Sequence, residues 1–178
     1  MFCGQVLSAE CADVSGTTVT ISTSCTDLDI VGDGSNVTIN SGVTVSASQV
    51  AVDTTGSGII SSITNNGTIN ATSKTAFEND ATINTLTNTG IISSSGHWGL
   101  KSGGSSAYIG ILNNSGTISA GNNVGLQNQN SATINELINS GTISASSDKG
   151  LLNNTTASIN TLTNSGTISA GDDFGLRN

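Results

Sequence analysis

Apolar residues in this chain return in register, set in long runs of Thr, Ser, Asn and Gly. From residue 67 onward each repeat carries four apolar marks. The first follows a glycine: Ile69, Ile92, Ile118, Ile143 and Ile168. The second is Phe77, Leu100, Leu126, Leu151 or Leu176; the third is Ile83, Ile109, Ile134 or Ile159; the fourth is Ile63, Leu86, Leu112, Leu137 or Leu162. Period-two alternation around these marks, as at Val19 and Ile21 or Val37 and Ile39, predicts short β-strands with one or two side chains turned inward. The density of Gly, Thr and Asn, all poor or indifferent helix formers, argues against a helical repeat.

The spacing of these strands decides the architecture. The phrase LNNSGTISA at 112–120 returns as LINSGTISA at 137–145 and LTNSGTISA at 162–170, with worn copies at 63–71 and 86–94. Its glycine is followed through Gly42, Gly67, Gly90, Gly116, Gly141 and Gly166, and back to Gly16, at steps of 23 to 26 residues. A fixed period in the twenties is the mark of a stacked repeat. The expectation is an all-β parallel β-helix of about 25 residues per coil, three short strands per coil, each strand above its counterpart one repeat earlier. Residues 1–15 carry no copy of the repeat and read as an N-terminal cap or tail, and residues 16–178 read as one β-helix domain. Met1 reads as an added start and Asn178 as a stop partway through a repeat, so a segment of something longer is expected.

Two residues before each glycine stand Asn40, Asn65, Asn88, Asn114, Asn139 and Asn164, and a second column runs through Asn79, Asn128, Asn153 and Asn178 with Ser102 as the exception. Stacked amides can hydrogen-bond along the axis, and Asn also tolerates the left-handed turns that join strands. The glycine and asparagine columns are therefore read as turn and ladder residues rather than as ligand-binding ones.

Composition narrows the function. The chain has 178 residues and a net charge of −8, with four Lys and Arg against twelve Asp and Glu, so there is no basic footprint for nucleic acid. No apolar run approaches the roughly 20 residues that a membrane-crossing helix needs, and the first ten residues lack the pattern of a secretory signal. Cys3, Cys11 and Cys25 allow at most one internal disulfide. Cys11 with Cys25 is the preferred pair, ahead of Cys3 with Cys11, and it implies an oxidising compartment.

With Gly-Leu-x-Asn and Ala-Thr-Ile-Asn between copies of its main phrase, the repeat resembles the passenger domains of bacterial autotransporters, the type V secretion family. The resemblance spans residues 16–178. It implies a right-handed β-helix exported to the bacterial surface or released, serving as an adhesin or as a stalk that displays other modules. The serine of the protease members is not matched: Gly32, Asp33, Gly34 and Ser35 only echo the Gly-Asp-Ser-Gly motif.

No constellation for chemistry stands out, and the chain is expected to be non-catalytic, without cofactor or metal. Asp27, Asp29 and Asp33 come nearest to a cation cluster and read as a solvated acidic loop, and His97 has no Cys or acidic partner in its coil. The turn after the Gly-Thr-Ile-Ser-Ala strand varies while its frame stays fixed. Stacking would bring Trp98, Val124, Lys149 and Phe174 into one rim column, with His97, Asp172 and Asp173 beside it, as a contact surface. The bland reading has Trp98 and Phe174 merely shielding the corner. The partner is a surface ligand, a host or bacterial glycan or protein, or other copies of the chain. The competing function is a structural element that assembles by end-to-end coil stacking. Ice binding by Thr68, Thr117, Thr142 and Thr167 comes third, because Ile91 interrupts that column.

Overall fold

The computed structural model describes residues 9–31, 34–154 and 156–178. Cys3, Gly32 and Asp33 lie outside the described residues. Among the described residues all regular structure is β-strand, in three parallel sheets of seven strands each, wound as a solenoid. Sheet I holds Thr18–Ile21, Asn36–Ile39, Ile59–Asn65, Thr82–Asn88, Tyr108–Asn114, Thr133–Asn139 and Ser158–Asn164. Sheet II holds Cys25–Thr26, Thr44–Ala47, Thr68–Ala71, Ile91–Ser94, Thr117–Ala120, Thr142–Ala145 and Thr167–Ala170. Sheet III holds Leu28–Val31, Val52–Thr55, Phe77–Asn79, Leu100–Ser102, Leu126–Asn128, Leu151–Asn153 and Leu176–Arg177.

The four apolar marks fall on three strands because two of them share the long strand of sheet I. Ile83 and Leu86 both point inward although three residues apart, and two consecutive residues between them, Asn84 and Thr85, face outward. The register to the neighbouring strands skips Asn84, so the long strand bends at that point and feeds the core from both halves. Like then stacks on like: Phe77 on Leu100, Leu100 on Leu126, and Ile92 on Ile118. Phe77, Ile83, Leu86, Ile92, Leu100 and Ile118 are wholly buried, each contributing roughly 1.5–3 kcal/mol of transfer free energy.

From Asn65 to Asn139 the Asn column is buried inside this stack. Asn65 Nδ2 donates to Asn88 Oδ1 at 2.8 Å, Asn88 to Asn114 at 2.8 Å, Asn114 to Asn139 at 2.7 Å and Asn139 to Asn164 at 2.7 Å. The same amides reach the backbone of the next coil, as Asn114 Nδ2 does at Thr142 O, 3.2 Å away. The second column joins Asn128 to Asn153 at 2.9 Å and Asn153 to Asn178 at 2.6 Å. It is interrupted at Ser102, whose hydroxyl accepts from Asn79 Nδ2 at 3.2 Å, while the buried Asn128 Oδ1 beyond it has no donor.

The first windings depart from the glycine spacing. Val19 pairs with Val37, and Val37 with Ile63, so the first winding is much shorter than the second and Gly16 is not one coil before Gly42. Asn40 does not begin the ladder, because Ile39 is the residue in register with Asn65. The cause is a wider turn between Ile39 and Thr44, where Gly42 takes a left-handed φ of 78°; after Asn65 the next strand starts at Thr68. Residues before Gly16 also join the stack. Glu10 bridges Thr26 and Val14 bridges Ile30, both in parallel, and Cys11 and Val14 are part of the core. Cys11 is disulfide-bonded to Cys25, with Cα atoms 5.1 Å apart and a sequence separation of 14. Closing a loop of that length is worth about 3 kcal/mol by chain entropy.

Candidate functional site

Residues 95–99 join sheet II to sheet III at one corner of the solenoid, and their fixing begins with a single substitution in the repeat. Where Ala71, Ala120, Ala145 and Ala170 stand in successive coils, this coil has Ser94. Its buried hydroxyl accepts from the backbone N–H groups of Gly96 at 3.2 Å and His97 at 3.1 Å, and donates to Lys74 O in the corner of the coil before. His97 N also donates to Lys74 O at 3.3 Å. The two corners are thereby tied together, and Trp98 sits on this braced turn.

Sheet III supplies the facing wall. Glu78 and Lys101 occupy the same outward repeat position in register, and the Lys101 ammonium is ion-paired with Glu78 Oε1. The same Nζ lies 5.4 Å from the Trp98 ring centroid, and His97 meets the Trp98 ring edge-on at 4.7 Å. Between corner and wall opens a cleft of about 490 Å³ spanning three coils, lined by Gln49, Ser73, Lys74, Glu78, Trp98 and Lys101 among others. The indole Nε1 is shut off from solvent without an acceptor, so no hydrogen bond anchors the ring; packing, His97 and Lys101 hold it.

The outward column of sheet III runs through Asp29, Asp53, Glu78, Lys101 and Gln127. Three acids on successive coils repel one another, and Lys101 compensates only the last of them. Burial, reinforced by the charges of Glu78, Asp80 and Asp29, pushes the Asp53 carboxyl up to about 6, and its Oδ1 is buried without a partner. Asp29 is raised as well, by burial first and then by Asp27 and Asp13. Among the described residues no group of three or more His, Cys, Asp or Glu is disposed to hold a metal ion.

The rim residues predicted from the sequence do not form one exposed column. Their backbones do stack, since Trp98 O, Val124 O, Lys149 O and Phe174 O each accept from the preceding coil. That stacking encloses the middle of the column: Val124 is 1 % exposed and Lys149 9 %. Lys149 Nζ bridges Asp148 in its own coil and Asp173 of the next, the latter at 2.7 Å. Those hydrogen bonds hold the Lys149 ammonium above and the Asp173 carboxyl below their ordinary ranges. Phe174 is 63 % exposed and Asp172 is exposed, both at the last corner. Of the predicted contact residues, only His97 and Trp98 line the cleft.

Lys74 lies in one of the variable turns, whereas Glu78, Lys101, Gln49 and Ser94 are not singled out by the turn pattern, because they lie on strands or in another coil. Aligning the repeats carries the signal: Lys101 replaces an acid in its column, and Ser94 replaces Ala in its own. No known protein-family model, curated protein or solved structure matches this chain.

Proposed function

We propose that this chain is a non-catalytic, exported β-solenoid of the autotransporter-passenger kind, standing at the bacterial surface and offering its Trp98 corner to a ligand as an adhesin or display stalk. The observation that carries this reading is the cleft. It brings together the chain's one tryptophan and two of its four basic residues, on a turn braced by a repeat-breaking serine. A stiff scaffold whose strands repeat while its corner turns vary suits presentation. The disulfide between Cys11 and Cys25 fits an oxidising environment.

The absence of catalysis belongs to the proposal and rests on how the groups are engaged. His97 packs on an aromatic ring, Glu78 is paired to a lysine, and the acids Asp29 and Asp53 share an outward column and have no ion-pair partner among the described residues. Binding of purified wild-type and Trp98→Ala proteins to host and bacterial cells tests the reading. At least a tenfold loss is expected from the variant, and undiminished binding contradicts the corner as contact surface. End-to-end assembly is separated by sedimentation over a range of concentrations: a monomer throughout supports display, and filaments that grow with concentration support assembly.

A further inference from the structure

Taking the Trp98 corner as the contact surface, an inference that rests on the reading above, we propose that the cleft recognises an uncharged saccharide ring of hexose type. The walls limit which hydrogen bonds a ligand can make. The Glu78 carboxylate only accepts, the Lys74 and Lys101 ammonium groups only donate, and the Gln49 amide and Ser73 hydroxyl do both. Glu78 and Lys101 are in contact, so a strong acceptor and a strong donor stand side by side. Two neighbouring sugar hydroxyls, one donating and one accepting, match that pair, and few other small neutral groups do.

The aromatic wall adds a second requirement. Trp98 is only partly buried, and its π face carries the negative side of a quadrupole that already attracts the Lys101 ammonium. The weakly positive C–H groups on one face of a pyranose suit the exposed part of the ring that the ammonium does not cover. A purely apolar ligand would leave the ring of polar groups around Trp98 unpaired, at a cost for each group desolvated.

The charge of the chain as a whole works against anionic sugars. Glu78 neutralises Lys101, which leaves Lys74 as the cation of the cleft without an ion pair among the described residues, and the charges of Glu78, Asp80 and Asp29 all act on the neighbouring Asp53. With a chain charge of −8, a carboxylated or sulfated ring is opposed at long range, and Lys74 is the one cation left in the cleft to offset that at contact. An extended peptide is also disfavoured. Strand addition needs a free edge, whereas Phe77–Asn79 and Leu100–Ser102 are each paired on both sides. The cleft volume of about 490 Å³ lies in the usual range for small-molecule sites.

Because the chain has a single tryptophan, its fluorescence reports this cleft alone. The test is titration of the wild-type protein with methyl glycosides of glucose, galactose, mannose and N-acetylglucosamine, with glucuronate as the charged comparator. The expected result is a saturable change with at least one neutral glycoside, a Kd on the order of millimolar as befits a small ligand, and no dependence on salt. Glu78→Gln, verified as folded by circular dichroism, should weaken it about tenfold, the size of one lost charged hydrogen bond. Silence from every neutral glycoside overturns the proposal, and so does tighter, salt-sensitive binding of glucuronate. If the glycosides are silent while Trp98→Ala still abolishes cell binding, the ligand class is wrong and the contact surface stands. If neither responds, both fall.

Discussion

Gly67, Gly90, Gly116, Gly141 and Gly166 occupy one position of the winding, yet none of them has a left-handed backbone; among the described glycines that conformation belongs to Gly16, Gly34, Gly42 and Gly56 in the early coils. Their requirement is space. A Cβ on Gly116 would stand 2.0 Å from Gly90 O of the preceding coil, and one on Gly141 would stand 2.1 Å from Gly116 O. Gly116→Ala must therefore push neighbouring coils apart. A loss of about 3 kcal/mol is expected, on the order of 10 °C in melting temperature by thermal unfolding. Asp53 makes the opposite case, a native residue that costs stability at neutral pH. Its folded carboxyl titrates at about 6 against an ordinary 3.8, so the folded state takes up a proton between those values. The stability tied to Asp53 is fully present below 3.8 and is lost as pH rises through about 6. Asp53→Asn is expected to raise stability at neutral pH by about 1–2 kcal/mol and to flatten that part of the pH profile, as followed by denaturant titration at several pH values.

At the scale of the element, each short strand makes few bonds of its own and depends on the columns that cross it. The second amide column shows what one break does. With Ser102 in an asparagine position, Asn128 Oδ1 stays buried without a donor, although the same backbone accommodates Asn79 and Asn153 one or two coils away. Ser102→Asn should complete the column and raise stability by about 1 kcal/mol, visible as a higher melting temperature; an unchanged or lower value would mean that the site has no room for the amide. The strands and their stacking were legible in the sequence because the four apolar marks of each coil recur in register from Ile63 to Leu176. The early turns were not legible. A wide turn such as 40–43 shifts the register by a residue, so that Asn40 looks like a ladder member while Ile39 fills the place. Glycine spacing alone cannot report such a shift.

For the whole molecule, a uniform stack turns local departures into positions in space. Ser94 is an exception in a column of alanines, Lys101 follows three acids in its column, and Trp98 is the one tryptophan in a variable column; the winding carries all three to one corner. His97 and Trp98 could be found from the sequence because they interrupt a visible frame. Their partners across the cleft lie in other strands and coils, and only the register brings them near. The buried state of Val124 and Lys149 was hidden for the same reason: enclosure depends on the coils on either side. All of this depends on consecutive coils lying directly over one another. Nitroxide amino acids at Ser169 paired in turn with Asn70, Ser46 and Thr26, which share one outward column of sheet II, measure that stacking by pulsed dipolar spectroscopy. The predicted separations are about 19, 24 and 29 Å, a constant rise of about 4.8 Å for each coil. Distances that fail to grow with the number of intervening coils, as in a sandwich of antiparallel layers, would contradict the account.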